Sequence, residues 1–419
     1  MKNFFENLTS KLNKYFFPFY KTKEIKLLFK KLEDGESKNK EVAMFVGGCV
    51  RNYLQLKKIG DIDIATIFTP DELKKKLHNS KFKIVDTGID HGSVTIILEN
   101  KKFEFTTLRK DIKTDGRHAE IETIDDWKED SKRRDFTINA IYLNKNGKIF
   151  DPQQGVNDLN ENVVKFIGDP QTRIEEDFLR IIRFLRFTIQ YNSPVELSTI
   201  QAIKLKLNGI KDLSKERVLS ELIKILHLEN FFKIVDNQKL IELFILVFPE
   251  FRNIHRLKNF SLIKNYVDNS EILFLSILLI DLKDNHEYFS HKYKVSNKIN
   301  DNLGLLGNKF KETKTDKEFF KKNLKNNLFE IGIKNMKILY CLFLLEKKKI
   351  SDKEITSFKS LDKISIPEFP FDGKFLIKRG IQEGKKIGTI LSEAKKIWVK
   401  NNFYLSSNDL EKIIKKYHF

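Results

Sequence analysis

Two aspartates, Asp61 and Asp63, stand two residues apart in the short apolar segment Asp61-Ile-Asp-Ile-Ala-Thr66. Side chains two apart on a β-strand point to the same face, so the two carboxylates are predicted to project side by side. Adjacent carboxylates repel each other unless a cation lies between them, and hard divalent ions prefer such oxygen ligands. The pair therefore predicts a metal site.

The preceding segment, Phe45-Val-Gly-Gly-Cys-Val-Arg-Asn52, has the composition of a phosphate-binding turn. An apolar strand leads into Gly47 and Gly48, whose backbone N–H groups can approach an anion closely because no Cβ intervenes. Arg51 adds a charged donor at the start of a helix. A phosphate-binding turn beside a metal-binding pair predicts a nucleotidyl-transfer site.

Two further segments offer polar groups to such a site. In Phe103-Glu-Phe-Thr-Thr107 the alternation sets Glu104 on the face opposite two phenylalanines, where it is a candidate third carboxylate; an ordinary solvent-facing glutamate is the alternative. In the second segment, Arg133-Arg-Asp-Phe-Thr-Ile-Asn-Ala140, we expect Arg134 to hold a triphosphate oxygen and Asp135 to accept from a ribose hydroxyl. An intradomain salt bridge is the alternative there, and we favour it for Arg133.

The segment Glu175–Phe187 is predicted to be one helix whose polar face selects the base. Every third residue is charged, and apolar residues fill the opposite face; the charged residues are Asp177, Arg180, Arg183 and Arg186. An aspartate accepts from the exocyclic amino group of cytosine or adenine while an arginine donates to the adjacent ring nitrogen, and guanine and uracil present the reverse pattern. A surface salt bridge is the alternative, but it explains one pair and not the whole line of arginines.

Composition bounds the kind of partner. The 419 residues suit about three domains, and 77 Lys and Arg against 58 Asp and Glu give a net charge of +19, which suits a polyanion. A lysine-rich surface without a specific partner is the alternative.

The two cysteines are far apart and predict neither a disulfide framework nor a zinc site, so we expect a reducing, cytoplasmic compartment. We expect no membrane span: Ile272–Ile280, the longest apolar run, predicts a buried helix. Residues 1–20 predict an amphipathic helix instead of a signal peptide.

The positioning elements change type along the chain. Up to about Ile149 short apolar and β-branched runs alternate with turns and predict strands. From about Leu159 helical periodicity dominates and predicts no strand. The predicted strands are Val42–Val46, Ile62–Ile67, Phe82–Val85, Ser93–Leu98 and Phe103–Thr107.

Taken together, these motifs resemble those of the class II tRNA nucleotidyltransferases, the CCA-adding enzymes. The resemblance spans about Phe45 to Phe187 and rests on the order and spacing of its motifs. They are Gly47-Gly-Cys-Val-Arg51, Asp61-Ile-Asp-Ile-Ala-Thr66, His91-Gly-Ser-Val-Thr95, Phe103-Glu-Phe-Thr-Thr-Leu-Arg109, Thr114-Asp-Gly-Arg-His-Ala119, Arg133-Arg-Asp-Phe-Thr-Ile-Asn-Ala140, Asp151-Pro-Gln-Gln-Gly-Val-Asn-Asp-Leu159 and Glu176-Asp-Phe-Leu-Arg180. Asn52 departs from the pattern, since the family usually has aspartate there.

The resemblance implies an α+β fold: a nucleotidyltransferase head with a small mixed β-sheet, followed by an all-helical neck, body and tail. We expect an N-terminal helical extension (1–40), head (41–150), neck (151–250), body (251–365) and tRNA-binding tail (366–419). It further implies Mg²⁺ at Asp61 and Asp63, with Glu104 in the same cluster. The nucleotide contacts implied are Gly48, Arg51, Arg134, Asp177, Arg180, Arg183 and Arg186, to which we add Gly47 and Asp135.

The activity implied is template-independent addition of CCA to the 3′ end of tRNA from CTP and ATP by two-metal nucleotidyl transfer, with further tRNA contacts at its acceptor and elbow. Residues 111–122 would be a flexible loop that helps the site change from C to A. Enzymes that add only CC or only A, poly(A) polymerases and a catalytically silent RNA-binding protein remain alternatives. A fused phosphohydrolase is disfavoured because His286 and His291 lack a His-Asp metal motif. The sequence leaves the oligomeric state open.

Overall fold

The computed structural model describes residues 18–88, 92–114 and 119–417, without the side chains of residues 87, 111–114 and 119–121. These residues form two compact units that divide between Val247 and Phe248. Three sequence predictions therefore lie wholly or partly outside the described residues. They are the helix in residues 1–20, of which only 18–20 are described, the motif residue His91, and the centre of the motif that runs from Thr114 to Ala119.

A seven-stranded sheet forms the core of the first unit, in the order β3-β4-β5-β2-β1-β8-β9. β2 and β5 are parallel and the other neighbours are antiparallel. Every predicted strand is present, whereas β8 and β9, of two residues each, were not predicted. The strands are β1 (Ala43–Val46), β2 (Ile62–Thr66), β3 (Lys83–Gly88), β4 (Ser93–Leu98), β5 (Lys101–Thr107), β8 (Tyr142–Leu143) and β9 (Ile149–Phe150).

A separate two-stranded sheet contradicts the predicted loop at residues 111–122. β6 (Arg109–Thr114) and β7 (Ala119–Thr123) pair as an antiparallel hairpin. Its base is held to the main sheet, because the N–H of Ile124 donates to the carbonyl of Leu108 and that of Leu108 to the carbonyl of Thr66. These strands were not predicted from the sequence because charged residues are frequent in the segment and it has no run of apolar or β-branched residues.

The helices of the first unit accompany this sheet and continue to Val247. Several begin at polar residues whose side chains satisfy terminal N–H groups; Asp126, for example, accepts from the N–H groups of Lys128 and Glu129. The helices are α1 (Lys23–Leu32), α2 (Gly48–Leu54), α3 (Pro70–Lys76), α4 (Trp127–Lys132), α5 (Gly155–Asn160), α6 (Pro170–Glu176), α7 (Leu179–Tyr191), α8 (Leu197–Lys206), α9 (Lys215–Leu226) and α10 (Gln238–Val247).

The prediction of one helix over Glu175–Phe187 is wrong at Asp177. That residue is extended, with φ −155° and ψ 107°, and separates α6 from α7. Its Oδ1 accepts from the N–H of Leu179 at 3.0 Å, so it satisfies a terminal donor of α7 as a capping residue does. Asp177 consequently stands at a corner between two helices, whereas Arg180, Arg183 and Arg186 follow along α7.

The regular elements of the second unit are all helices, and its described residues contain no strand, as predicted. The apolar run Ile272–Ile280 lies in a helix whose residues from Leu273 onward are buried, which confirms that prediction. Among the described residues, no helix combines the length and apolar character that crossing a membrane requires. The helices are α11 (Glu271–Leu279), α12 (Asn285–Tyr293), α13 (Asn297–Thr315), α14 (Leu324–Leu345), α15 (Asp352–Ser360), α16 (Gly373–Ile377), α17 (Lys385–Lys400) and α18 (Ser407–Lys416).

Candidate active site

The turn between β1 and α2 brings backbone against a carboxylate. Gly47 has φ +73°, a left-handed conformation that favours glycine, and a Cβ there would lie 3.6 Å from Oδ2 of Asp63. A Cβ on Gly48 would lie 3.8 Å from the same atom. The buried thiol of Cys49 donates to the carbonyls of Val46 and Asp63, so it ties the start of α2 to β2. Residues after the turn are thus fixed beside the aspartates.

Three carboxylates gather where β2 and β5 run in parallel. Asp61 directly precedes β2, Asp63 lies within it, and Glu104 of β5 is paired in register with Asp63. Burial raises the pKa of Asp63; Arg134 and Arg51 oppose the rise, whereas Asp61 and Glu104 add to it. Negative charge is concentrated here and only partly compensated. An all-oxygen donor set of this kind fits a hard divalent cation.

Glu104 differs from the other two carboxylates in its surroundings. Its Oε2 accepts a hydrogen bond of 2.8 Å from the hydroxyl of Thr95 on β4. Asp61 and Asp63 line the open cleft, and Glu104 stands one strand away from them. Glu104 is therefore placed to act on Asp63 through its charge.

Asp130 of α4 is a buried centre that holds two arginines and a tyrosine. It accepts from Arg133 at 2.8 Å, from Arg134 at 3.0 Å and from the hydroxyl of Tyr142 at 2.7 Å. Burial alone would raise its pKa, but the two guanidinium groups lower the pKa of Asp130 to about 2. The predicted salt bridge of Arg133 is confirmed. Arg134 also lines the cleft, so one side of its guanidinium is anchored beside the aspartates.

Asp135 is engaged by protein groups on both oxygens. Oδ1 accepts from the N–H of Phe136 and from Asn139, and Oδ2 accepts from Arg183 at 2.7 Å. Burial opposes ionisation, yet Arg183 and these donors lower the pKa of Asp135 to about 2. Asn139 in turn accepts from Arg51. Asp135 and Asn139 thereby orient Arg183 and Arg51, respectively.

The ring of Phe187 packs against three guanidinium groups. The central carbons of Arg186, Arg51 and Arg183 lie 4.2, 4.8 and 5.7 Å from its centroid. Glu221 of α9 holds the same cluster from another side. Its carboxylate accepts from Arg186 at 2.8 Å and from Lys224 at 2.8 Å, and Arg183 lies 4.0 Å away. The positively charged side chains of this cluster would repel one another, and the ring of Phe187 and the buried carboxylate of Glu221 stabilise them close together.

The two residues predicted to read the base each have other partners. Oδ2 of Asp177 accepts from Arg217 at 3.0 Å. Arg180 donates to Glu176 at 2.6 Å and to the carbonyl of Arg133 at 3.0 Å. Both residues nevertheless line the cleft. A base that binds them in the predicted way competes with the contacts that Asp177 makes with Arg217 and that Arg180 makes with Glu176.

Eleven of the twelve predicted site residues line one cleft of about 750 Å³, a volume suited to a nucleotide-sized ligand. The twelfth, Glu104, neighbours it. Several polar and aromatic residues that also line the cleft were missed from the sequence: Ser93, Thr106, Arg109, Asn139, Phe187 and Lys224. Asp130 behind the wall was also missed, although Asp130, Arg133 and Arg134 have the i,i+3 and i,i+4 spacing of helical ion pairs.

Comparison with known proteins places this arrangement in a class. The model of the poly A polymerase head domain matches residues 43–165. The mitochondrial CCA tRNA nucleotidyltransferase 1 of Danio rerio is 32% identical over 406 residues, 93% of this chain and 92% of that protein. The CCA-adding enzyme of Lactobacillus helveticus is 29% identical, over 89% of this chain and 92% of that protein.

Solved structures show the same fold. The CCA-adding enzyme of Bacillus stearothermophilus in complex with CTP superposes with a TM-score of 0.66 at 22% identity, over 93% of this chain and 95% of that one. The Thermotoga maritima CCA-adding enzyme complexed with tRNA gives 0.63 at 21% identity, over 94% and 95%. Sheet, cleft and relatives define a nucleotidyltransferase. This chain belongs to the family of CCA-adding tRNA nucleotidyltransferases.

Proposed function

We propose that the cleft of the first unit is where this enzyme adds CCA to the 3′ end of tRNA, with CTP and ATP as substrates. The activity follows from membership of the family, whose named members match the chain over nearly its whole length. The observation that supports the location is the convergence of Asp61 and Asp63, the glycine turn and the arginines on one cleft. A silent RNA-binding protein would gain nothing from unshielded carboxylates beside a phosphate backbone.

Asp61 and Asp63 are proposed to hold Mg²⁺, with Glu104 supporting Asp63. When bound, the ion activates the tRNA 3′-hydroxyl and stabilises the leaving pyrophosphate. The chain's own residues position the nucleotide: the backbone at Gly47 and Gly48 and the side chains of Arg51 and Arg134 face its phosphates. Asp135 is proposed to act mainly by orienting Arg183, because its oxygens are already engaged.

Base selection is proposed to rest on Asp177 and Arg180, with Arg183 and Arg186 completing the wall. The position of Asp177 at the corner between α6 and α7 supports this, since a corner residue can change partner without disturbing a helix. On binding of C or A, Arg217 would release the carboxylate. G and U present the reverse pattern of donors and acceptors and would match neither group, and such mismatches are how polar sites reach strong discrimination.

We propose that the head, neck, body and tail follow the divisions expected from the sequence, at about residues 150, 250 and 365. We further propose a cytoplasmic location. The free and buried state of Cys49 and Cys341 supports a reducing compartment, whereas the Danio rerio relative is named as mitochondrial. Cell fractionation with an antibody against the chain tests this, and enrichment in an organelle would contradict it.

The location of the site is tested by Asp63→Asn, which removes a metal-binding charge and preserves side-chain size. We expect turnover to fall at least a thousandfold while tRNA affinity stays within about twofold, because binding rests on basic surface. Asp71→Asn is the matched control: it removes the same charge from an exposed position on α3. Near-normal turnover of Asp63→Asn would refute the assignment.

A further inference from the structure

His286 carries a buried imidazole on the second unit. It lies in the first turn of α12, only 2% of its surface is exposed, and within the described residues its Nδ1 has no hydrogen-bond partner. A buried polar nitrogen without a partner lowers stability, so each such group calls for an explanation. A missing ligand supplies one.

The neighbouring helix leaves room for this ring. Gly307 lies inside α13, and a Cβ at that position would come within 2.4 Å of both Cε1 and Nε2 of His286. Glycine weakens a helix interior because it gains more backbone freedom on unfolding than alanine. The chain thus carries a helix-weakening residue at the point where the imidazole needs the space.

Two carboxylates stand beside the imidazole. One ligand atom from each of Asp284, His286 and Glu287 lies within 4.8 Å of the others. Asp284 has φ +56°, which turns the chain sharply before α12, and its Oδ2 pairs with Lys311 at 2.6 Å. Glu287 is exposed. Ligands about 2 Å from one ion lie roughly 3–4 Å apart, so small side-chain adjustments bring all three into reach.

We propose that Asp284, His286 and Glu287 form a second metal site, which binds a divalent first-row transition metal ion, with Zn²⁺ as the best match. One imidazole and two carboxylates suit Zn²⁺ or Co²⁺, whereas Mg²⁺ prefers oxygen ligands alone. The ligand set therefore differs from that of Asp61 and Asp63. When the ion binds, the ion pair between Lys311 and Asp284 is either kept on one carboxylate oxygen or broken. The ion would fix the start of α12 to the preceding turn.

The test uses the full-length, tag-free chain carrying Asp61→Asn and Asp63→Asn, so that the catalytic carboxylates contribute no binding. Titration with Co²⁺, followed by visible absorption, and calorimetry with Zn²⁺ are expected to show one bound ion. His286→Gln should abolish this binding, and Glu287→Gln should weaken it at least tenfold. His291→Gln, which changes an exposed histidine of the same helix, should leave it unchanged.

Three results would overturn the proposal. The first is a chain that binds neither Co²⁺ nor Zn²⁺, and the second is binding that stays the same in Glu287→Gln. Because Glu287 is exposed, its substitution decides the question even where circular dichroism shows that His286→Gln fails to fold. Equal loss of binding in His291→Gln would likewise point to adventitious surface binding and refute the site.

Discussion

At the level of single residues, the cleft depends on three buried carboxylates that hold its arginines in place. Asp130, Asp135 and Glu221 are buried, and each holds at least one arginine that lines the cleft. Removing such a carboxylate leaves a buried cation without its partner, which costs more than the original pair contributes. We therefore expect that replacing one of these carboxylates impairs nucleotide binding in the cleft as much as replacing the arginine that it holds.

Glu221 tests this dependence without touching the aspartates. Glu221→Gln keeps the shape but weakens the hold on Arg186 and Lys224, so we expect kcat/KM for CTP and ATP to fall roughly 10- to 100-fold, as loss of a charged hydrogen bond of about 1.5–3 kcal/mol implies. Steady-state kinetics measure it. Glu216→Gln, exposed on the same helix, is the control. Kinetics that match this control would show that the arginines hold their positions unaided.

Substitution of Asp177, at the corner between α6 and α7, tests whether this residue recognises the base. We expect Asp177→Ala to raise misincorporation of UMP and GMP relative to CMP and AMP, because the carboxylate that rejects the reverse pattern is gone. Single-nucleotide extension assays with each triphosphate measure this preference. Glu175→Ala removes an exposed carboxylate two residues earlier and should preserve fidelity. Lower activity with unchanged preference would assign the corner to phosphate or tRNA instead.

Asp130 links the site to acid stability. Its pKa of about 2 lies below the ordinary value of 3.8, so its stabilisation is fully present above about pH 4 and declines as the pH falls towards 2. Asp130→Asn should lower the free energy of unfolding at pH 7 by on the order of 2 kcal/mol. Urea unfolding of wild type and variant measures it. A difference that stays constant between pH 7 and pH 3 would contradict this origin.

At the level of elements, the hairpin of β6 and β7 begins at the site. Arg109 opens β6 and lines the cleft, and its N–H donates to Asp130 at 3.3 Å. A change in the hairpin can therefore reach the arginines that Asp130 holds. The segment that the sequence analysis predicted as a flexible loop is a paired strand element in its described residues, and its role in the change from C to A stays a prediction.

Shortening the segment between Lys113 and Glu120 tests that role. We expect C addition to continue and A addition to fall selectively, since the pocket must adapt from a pyrimidine to a larger purine. Extension of tRNA ending in CC, with ATP, is compared with extension of tRNA lacking CCA, with CTP. Equal loss of both reactions would make the hairpin purely structural.

The elements also show what the sequence could reveal. The five longer strands of the main sheet were predictable because apolar and β-branched runs end at turn residues. The break at Asp177 was not, because Glu176-Asp-Phe-Leu-Arg180 has helical periodicity and no glycine or proline. Asp130 and Glu221 were missed for another reason: burial of a carboxylate depends on what packs around it, and only the fold shows that. Roles such as base reading by Asp177 stay predictions.

At the level of the whole molecule, the net charge of +19 indicates how tRNA binds. Release of counterions from phosphates makes affinity for nucleic acid fall steeply with salt. We expect tRNA affinity to fall at least tenfold between 50 and 200 mM KCl. Fluorescence titration of labelled tRNA measures it. An affinity that hardly changes would mean that few phosphates are contacted.

The central claim, complete CCA synthesis by one cleft, is tested most directly with three tRNAs, one lacking CCA, one ending in C and one ending in CC. Extension products are resolved at single-nucleotide resolution with CTP and ATP, for the wild type and for Asp63→Asn. We predict that the wild type extends all three to the same CCA end and that Asp63→Asn extends none. Stalling at CC, activity on the CC substrate alone, continued addition of A beyond CCA, or full extension by Asp63→Asn would contradict this account.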